Sequence, residues 1–267
     1  MSVSSQEKQR AKAKEKRQEG GAAETVRVIV HALIIAFVIR TFLFQPFNIP
    51  SGSMEATLHI GDYLFVSKYS YGYSHYSLPL SPNIFSGRIF GSVPERGDVV
   101  VFRLPKEDSV DYIKRVIGLP GDRIQMIDGL LHINGEPIKR ERVDDYVGET
   151  SCGGGGGLAR IKRWKETLPN GVSYYALDCY ENSILDNTKV YTVPPEHLFM
   201  MGDNRDNSTD SRVESAVGYV PFENLVGRAQ IIFFSVGVDE RGQPQPAWHF
   251  WNWPWSVRWS RLFTIVR

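Results

Sequence analysis

Apolar and polar positions divide the chain into two unlike parts. From Val26 to Phe44 nearly every residue is apolar, broken only by Arg27, His31, Arg40 and Thr41. Nineteen helical residues span about 28 Å, close to a hydrocarbon core of about 30 Å. Arg27 sits at one end of this run, and Arg40 lies about one turn from the other, where a long cation can snorkel to the headgroups. Pro46 stops the helix just beyond. A cleaved signal peptide would carry a shorter apolar run ending in small residues. This one ends in Phe42-Leu43-Phe44-Gln45-Pro46-Phe47. A buried core helix would tolerate Arg27 and Arg40 poorly. The pattern predicts a single transmembrane helix over residues 26–44, acting as an uncleaved anchor, and no second run of similar length and apolarity follows.

After residue 44 the apolar positions shorten into strand-like runs. Strands are expected at Asp62–Val66, Asp98–Phe102, Asp111–Ile117, Arg123–Ile127, Leu130–Ile133, Leu198–Met201 and Leu225–Phe234. Leu119-Pro-Gly-Asp122 reads as a turn. Asp128-Gly129 and Asn134-Gly135, each between apolar runs, are hairpin signals. The expected fold is mainly β: one transmembrane helix, then a catalytic-sized domain over 45–267 built as a twisted sheet system or partly open barrel. Its core would comprise about 45–135 and 196–240. Residues 69–96, rich in Tyr, Ser, Pro and Gly, read as a long loop. Residues 136–195 are polar and read as an inserted smaller β-rich or loop region. Gly153 to Gly157 form a flexible stretch rather than a phosphate cradle, since no Lys-Ser/Thr follows.

Charge adds an orientation. The formal net charge is only +1, so no global basic field calls for nucleic acid as a partner. Residues 1–25, however, carry Lys8, Arg10, Lys12, Lys14, Lys16 and Arg17, and almost no large apolar side chains. Such a segment does not fold alone, and as a cytoplasmic basic tail it holds the N-terminus inside by the positive-inside rule. Everything from Gln45 onward then lies on the outer side. Cys152 and Cys179 are the two cysteines. Their spacing fits no zinc motif, and in an exported domain they read either as one disulfide or as two free thiols. His59, His75, His132, His197 and His249 show no ligand spacing, so no metal and no cofactor is expected. Over 246–267, Trp248, Trp251, Trp253, Trp255 and Trp259 stand beside Arg258, Arg261 and Arg267. This tail reads either as a membrane-interface element or as one whose rings pack on the β domain.

Candidate chemistry lies in three segments. Ser51-Gly52-Ser53 is a tight turn a few residues beyond the predicted membrane helix, and glycine permits close backbone approach to a substrate. A serine needs a base before it attacks a carbonyl, and no His–Asp pair is placed for that role. Lys114 lies inside an apolar strand run, sharing a face with Tyr112 and Val116. Buried, it could lose its proton near neutral pH; exposed, it would be an ordinary strand residue. Ser208 lies in a polar loop, Gly202 to Arg212, and by itself reads as a turn hydroxyl.

Taken together, these segments resemble bacterial type I signal peptidase. Its nucleophile box P-S-G-S-M-x-P-T-L stands here as Pro50 to Leu58, its lysine box D-Y-I-K-R-x-x-G-x-P-G-D runs from Asp111 to Asp122, and its box G-D-N-R-D-x-S-x-D-S-R runs from Gly202 to Arg212. The boxes and their flanks cover roughly half of the exported part, leaving 136–195 and the Trp-rich tail uncovered. The resemblance implies a serine endopeptidase that removes signal peptides from secretory preproteins at the lipid bilayer. The enzyme would be single-pass in the inner (plasma) membrane, with its catalytic domain on the periplasmic side. It implies Ser53 as nucleophile, Lys114 as general base, an oxyanion hole from the Ser53 N–H and Ser51 hydroxyl, and Ser208 as the residue that orients Lys114. Ile49, Pro50, Met54, Leu58, Tyr112 and Ile113 would line pockets for the small residues of an Ala-x-Ala cleavage site. Asp203 would pair with Arg115, and Asp210 with Arg212. Ala56 stands where proline is usual and Gln45 where glutamate is frequent. A slightly looser turn with retained activity is expected. The rival readings are a catalytically inactive preprotein-binding β domain, another Ser–Lys protease such as a self-cleaving repressor, and an organellar relative.

Overall fold

The computed structural model of the protein describes residues 23–149, 152, 158–238, 251 and 253–267. The expected basic tail up to residue 22, Gly153 to Gly157, and Trp248 with its neighbours 239–250 lie outside the described residues. Two units divide between Leu43 and Phe44.

The first unit holds a helix over Ala23–Leu43, long and apolar enough to cross a bilayer. Its last turn, Ile39–Leu43, is π-helical. Phe44 already belongs to the first strand, in which Gln45, just ahead of Pro46, is disfavoured from the helical region.

The second unit is mainly β, with short 3₁₀ turns and one helical turn at Trp253–Ser256 between its strands. In chain order its strands are β1 (Phe44–Asn48), β2 (Asp62–Ser67), β3 (Val99–Leu104), β4 (Glu107–Gly118), β5 (Arg123–Ile127), β6 (Leu130–Ile133), β7 (Glu136–Pro137) and β8 (Lys139–Arg142). Then follow β9 (Tyr146–Glu149), β10 (Leu158–Thr167), β11 (Ser173–Asp178), β12 (Tyr191–Thr192), β13 (His197–Met201), β14 (Val220–Pro221), β15 (Leu225–Ser235) and β16 (Thr264–Ile265). The main sheet is antiparallel, in the order β1-β2-β15-β3-β4-β13-β14, with β16 added on β15. One smaller sheet runs β11-β10-β8 with β9 also on β10, and another runs β12-β5-β6-β7. Both expected hairpins form. Asp128 and Gly129 (φ 47° and 71°) join β5 to β6, and Asn134 and Gly135 (φ 58° and 91°) join β6 to β7. Positive φ at both central residues is what such two-residue turns require.

Residues 136–195 share a core with the strands they interrupt. Ile138, Ile161, Leu168, Tyr174, Ala176, Tyr191 and Val193 pack with Ile117, Ile124, Phe199 and Met201. The 69–96 stretch is held as two 3₁₀ turns and a bridge, Tyr73 to Ile89. Arg88 fixes it by donating to the carbonyls of Tyr71, Gly72, Phe222, Glu223 and Leu225. Cys152 and Cys179 are joined as a disulfide.

Of the two readings of the C-terminal tail, the structure shows packing on the β domain, with part of the aromatic surface left outside. Its backbone docks on the sheet, with Val257 and Val266 buried and Arg261 bonded to Asp62 and to the Thr57 carbonyl. Trp253 packs near Phe234, while Trp251, Trp255, Trp259 and Phe263 present their rings to the outside.

Candidate active site

The site forms where the turn after β1 meets the centre of β4. Pro50 and Ser51 are extended, and Gly52–Met54 closes a short 3₁₀ turn whose Glu55 N–H donates to the Gly52 carbonyl. Met54 and Leu58 are fully buried with Ile49, Leu64 and Val101, and so anchor the turn on the sheet. In β4 the register sets Lys114 opposite Val100 and Arg115 opposite Val99. Successive side chains point to opposite faces, yet both Lys114 (3% exposed) and Arg115 (0%) are buried. The strand is therefore covered on both sides at its most charged point.

Lys114 Nζ donates to Ser53 Oγ at 2.6 Å across 61 positions of sequence, and to the Ile113 carbonyl at 2.9 Å. The Tyr112 ring lies 5.2 Å from Nζ. Burial pushes the Lys114 amine down to about 8, against a smaller upward pull from Asp210 and Asp203. An amine with that value is partly neutral at pH 7 to 8. Once neutral it can accept the proton of the hydroxyl it touches, which is the condition for a serine to act as a nucleophile. The pH dependence of any reaction through this pair follows. The competent form is the neutral amine, so kcat/KM should rise with pH to a plateau above about 8 and fall about tenfold per unit below it. A rate profile flat from pH 6 to 9 would separate Lys114 from the reaction.

The Gly202–Arg212 loop packs beneath the pair. Arg115 donates to Asp203 from Nε (2.8 Å) and Nη2 (2.7 Å), and Thr57 Oγ1 donates to the same carboxylate. Arg212 grips Asp210 at 2.9 Å through both Nε and Nη2. Burial pushes Asp210 up, but Arg212 and the Gly202 N–H outweigh it and hold the carboxyl below its usual range. Gly202 is needed for close approach: a Cβ there would stand 2.2 Å from Ser208 Oγ and 2.5 Å from the Ser53 carbonyl. Ser208 is buried, and its Oγ makes no hydrogen bond to Lys114; its hydroxyl instead helps hold the Asp210 carboxyl down. The Ser51 hydroxyl makes no capping bond and lines the same cleft as Ser53.

That cleft, about 350 Å³, is walled by Ile49, Pro50, Tyr112 and Ile113 among the expected residues. Met54 and Leu58 lie behind it, filling the core. Phe47, Asn48, Val101, Val110, Asp111, Asn207 and Thr209 complete it. Asp111 and Tyr112 stand in the lysine box itself. Val101 and Phe47 carry only the ordinary signature of strand residues.

Two features escape the sequence. First, the 136–195 segment contributes a buried ion cluster under the loop. Glu166 accepts from Arg205 and from the Tyr174 hydroxyl, Tyr174 also faces the Arg115 guanidinium at 4.3 Å, and Leu177 N–H donates to the Asp203 carbonyl. Second, Ala56 has φ +89°, in the left-handed region. Proline is locked near −65°, so the turn has settled into a conformation that the usual proline cannot enter. Ala56→Pro should lower stability by about 3 kcal/mol or more, read as a shift in the urea midpoint. Unchanged stability would mean that the turn adopts negative φ at this position.

A lysine amine seated on a serine hydroxyl in a cleft equips the chain for hydrolytic chemistry of the serine type. The chain matches the family model described as "Signal peptidase, peptidase S26" over residues 22–234, and it belongs to that family. The signal peptidase I of Rickettsia typhi (strain ATCC VR-144 / Wilmington) is 46% identical over 243 residues, covering 86% of this chain and 89% of that one. The signal peptidase I of Rickettsia prowazekii (strain Madrid E) is 45% identical with the same coverage. A crystal structure of a signal peptidase I from Enterococcus faecalis V583 is 24% identical, covers 51% of this chain and 97% of that one, and superposes with a TM-score of 0.28. The family is membrane-bound and acts on the signal peptides of preproteins, and the one N-terminal apolar helix fits a single-pass anchor.

Proposed function

We propose that this signal peptidase cleaves exported preproteins with Ser53 as nucleophile and Lys114 as general base. The observation that carries the reading is the 2.6 Å contact between Lys114 Nζ and Ser53 Oγ, made by an amine that burial brings down to about 8. Ser53 Oγ attacks the scissile carbonyl while Lys114 takes its proton. The negative charge that develops on the carbonyl oxygen falls to the Ser53 N–H and the Ser51 hydroxyl. Preorganised donors of this kind each contribute about 3 to 4 kcal/mol of barrier lowering. Lys114 then protonates the leaving amine, and a water activated by the same amine releases the acyl group. Ser208 would steady the lysine once substrate closes the cleft. The Arg115–Asp203 and Arg212–Asp210 pairs hold the frame.

The substrate would lie extended along the strand edges of the cleft, by β-augmentation. The apolar walls at Ile49, Pro50 and Ile113 favour small apolar side chains, in keeping with an Ala-x-Ala cleavage pattern. The 26–44 region would anchor the chain in the inner membrane. The cations of residues 1–25 would keep the N-terminus in the cytoplasm, so that 45–267 faces the periplasm. Exposed Trp251, Trp255 and Trp259 beside Arg258 would rest at the bilayer interface. No metal or other cofactor enters this mechanism.

The test is cleavage of a model preprotein by the full chain in detergent, with the products identified by mass. The expected result is a single cut after the second alanine, lost when that alanine is replaced by a bulky residue. Binding of the preprotein without any cut would move the chain to the alternative reading, an inactive preprotein-binding domain.

A further inference from the structure

The turn that carries Ser53 is held from behind by two residues to which the proposed mechanism gives no role. Asn204 is fully buried. Its Nδ2 donates to the Gly52 carbonyl and to Glu55 Oε2, both at 3.1 Å, and its backbone N–H donates to the Ser53 carbonyl at 3.1 Å. Glu55, at the variable position of the nucleophile box, is a carboxylate only 2% exposed. The orientation of the Asn204 amide follows from chemistry. Both groups facing Nδ2 are acceptors, so the nitrogen must point at them, and Oδ1 is left against the disulfide, 3.1 Å from Cys179 Sγ and 3.4 Å from Cys152 Sγ.

This grip controls one peptide plane in particular. The Gly52 carbonyl and the Ser53 N–H belong to the same trans peptide unit, and in such a unit C=O and N–H point in opposite directions. A side chain that fixes the carbonyl on the protein side therefore aims the N–H at the other side. The Ser53 N–H has no hydrogen-bond acceptor among the described residues. It is left free for the oxygen of a bound carbonyl. The second anchor, Asn204 N–H on the Ser53 carbonyl, fixes the next peptide plane and with it the direction of the Ser53 side chain. Rotation of either plane by a few tens of degrees would carry the donor away from the short distance at which it stabilises an oxyanion.

We propose that Asn204 is the positioning residue of the oxyanion hole, holding the Gly52–Ser53 peptide so that its N–H faces the cleft, and that the Glu55 carboxylate locks the Asn204 amide in that orientation. The inference rests on the reading of Ser53 as the nucleophile. Asn204 touches neither the Lys114 amine nor the substrate cleft, so its loss should leave the base and the ground-state binding site intact.

The experiment uses the full chain in detergent with a model Ala-x-Ala preprotein, and compares wild type, Ser53→Ala, Asn204→Ala, Glu55→Ala and Glu55→Gln, each checked for a folded midpoint. Two further ligands separate the states. A peptide aldehyde forms a tetrahedral adduct on a serine and so probes the oxyanion donor. The same peptide with proline after the cleavage point binds without being cut. For Asn204→Ala the expected result is a fall in kcat of about 10², with KM and the affinity for the uncut peptide within about threefold. Aldehyde affinity should weaken in proportion to kcat/KM. The rising limb of the pH profile should stay at the wild-type position. Glu55→Ala should show a smaller fall of the same kind, and Glu55→Gln, which still offers Nδ2 an acceptor, should return to within about threefold of wild type.

A merely structural role would weaken aldehyde and uncut peptide alike, and that result overturns the proposal. So does an Asn204→Ala variant with wild-type kcat, while an inactive Ser53→Ala leaves the nucleophile reading standing. If Asn204→Ala does not fold, the two Glu55 variants decide: equal rates for alanine and glutamine overturn the proposal, and selective rescue by glutamine supports it. A wild type that cuts nothing, or a Ser53→Ala that cuts normally, overturns both readings at once.

Discussion

Lys114→Met should abolish cleavage and, in the same molecule, make the folded state more stable at neutral pH. The kinetic half follows from geometry. Nζ is the one side-chain nitrogen within hydrogen-bond distance of Ser53 Oγ among the described residues, and removing the base of a serine nucleophile costs on the order of 10⁶-fold in kcat. The stability half follows from burial. The folded protein lowers the amine from 10.5 to about 8, chiefly by desolvation. Below pH 8 the amine is protonated in both states, and the folded state bears the whole cost of burying a cation. Between pH 8 and about 10.5 the unfolded chain binds the proton and the folded protein does not, so wild-type stability rises by about 1.4 kcal/mol per unit. Above that window the cost is gone. A buried methionine never bears it. The stability advantage of Lys114→Met over wild type should therefore be about 3 kcal/mol larger at pH 7 than near pH 10.5, because groups common to both chains cancel in the difference. Denaturant unfolding of both proteins across this range measures it. An advantage independent of pH would mean that the lysine is not held neutral, and a variant that still cleaves would remove it from the mechanism.

The strands at 62–66, 98–102, 111–117, 123–127, 130–133, 198–201 and 225–234 were legible for a plain reason. Runs such as Arg123–Ile127 and Leu130–Ile133 alternate, and the Asp128-Gly129 pair between them has few other conformations to adopt. The meeting of Ser53 with Lys114 was legible only through resemblance, since no local pattern ties a turn to a strand 61 residues away. What stayed hidden was buried polarity. Glu55, Glu166 and Arg205 look like solvated residues in a sequence. They are buried because each meets a partner far along the chain, Glu166 with Arg205 and Glu55 with Asn204. The same effect disguised residues 136–195. Ile161, Leu168, Tyr174 and Ala176 stand singly among charges, so the segment reads as a polar insertion, β-rich or loop, set apart from the core, yet they complete the core beside Ile117 and Met201. Met54 and Leu58 show the converse. Position in a box suggested a pocket wall, and complete burial behind the cleft makes them its foundation.

Asp203→Asn should produce the largest loss of stability among substitutions near the site, together with a shift in the pH profile. Asp203 is 1% exposed and faces an Arg115 guanidinium that is fully buried. Two hydrogen bonds of 2.8 and 2.7 Å join them. Arg115 also donates to the Gly97 carbonyl and to a main-chain oxygen of Arg267, but Asp203 is the one side-chain carboxylate paired with it among the described residues. Removing the carboxylate charge leaves that cation uncompensated in a medium that solvates it poorly, at a cost of about 3 to 5 kcal/mol. Against a typical total of about 5 to 15 kcal/mol, the variant should sit near the edge of folding. Replacing both partners, Asp203→Leu with Arg115→Met, should cost at least 2 kcal/mol less than the two single changes added together, since no charge is then stranded. The kinetic signature has the opposite origin. Asp203 pulls the Lys114 amine upward, so without its charge the amine gives up its proton more readily. The rising limb of kcat/KM for folded Asp203→Asn should therefore lie at lower pH than in wild type. A limb that does not move, in a variant that has lost several kcal/mol, would assign Asp203 to the frame alone. A limb that moves to higher pH would mean that the field at Lys114 is set by groups other than this carboxylate.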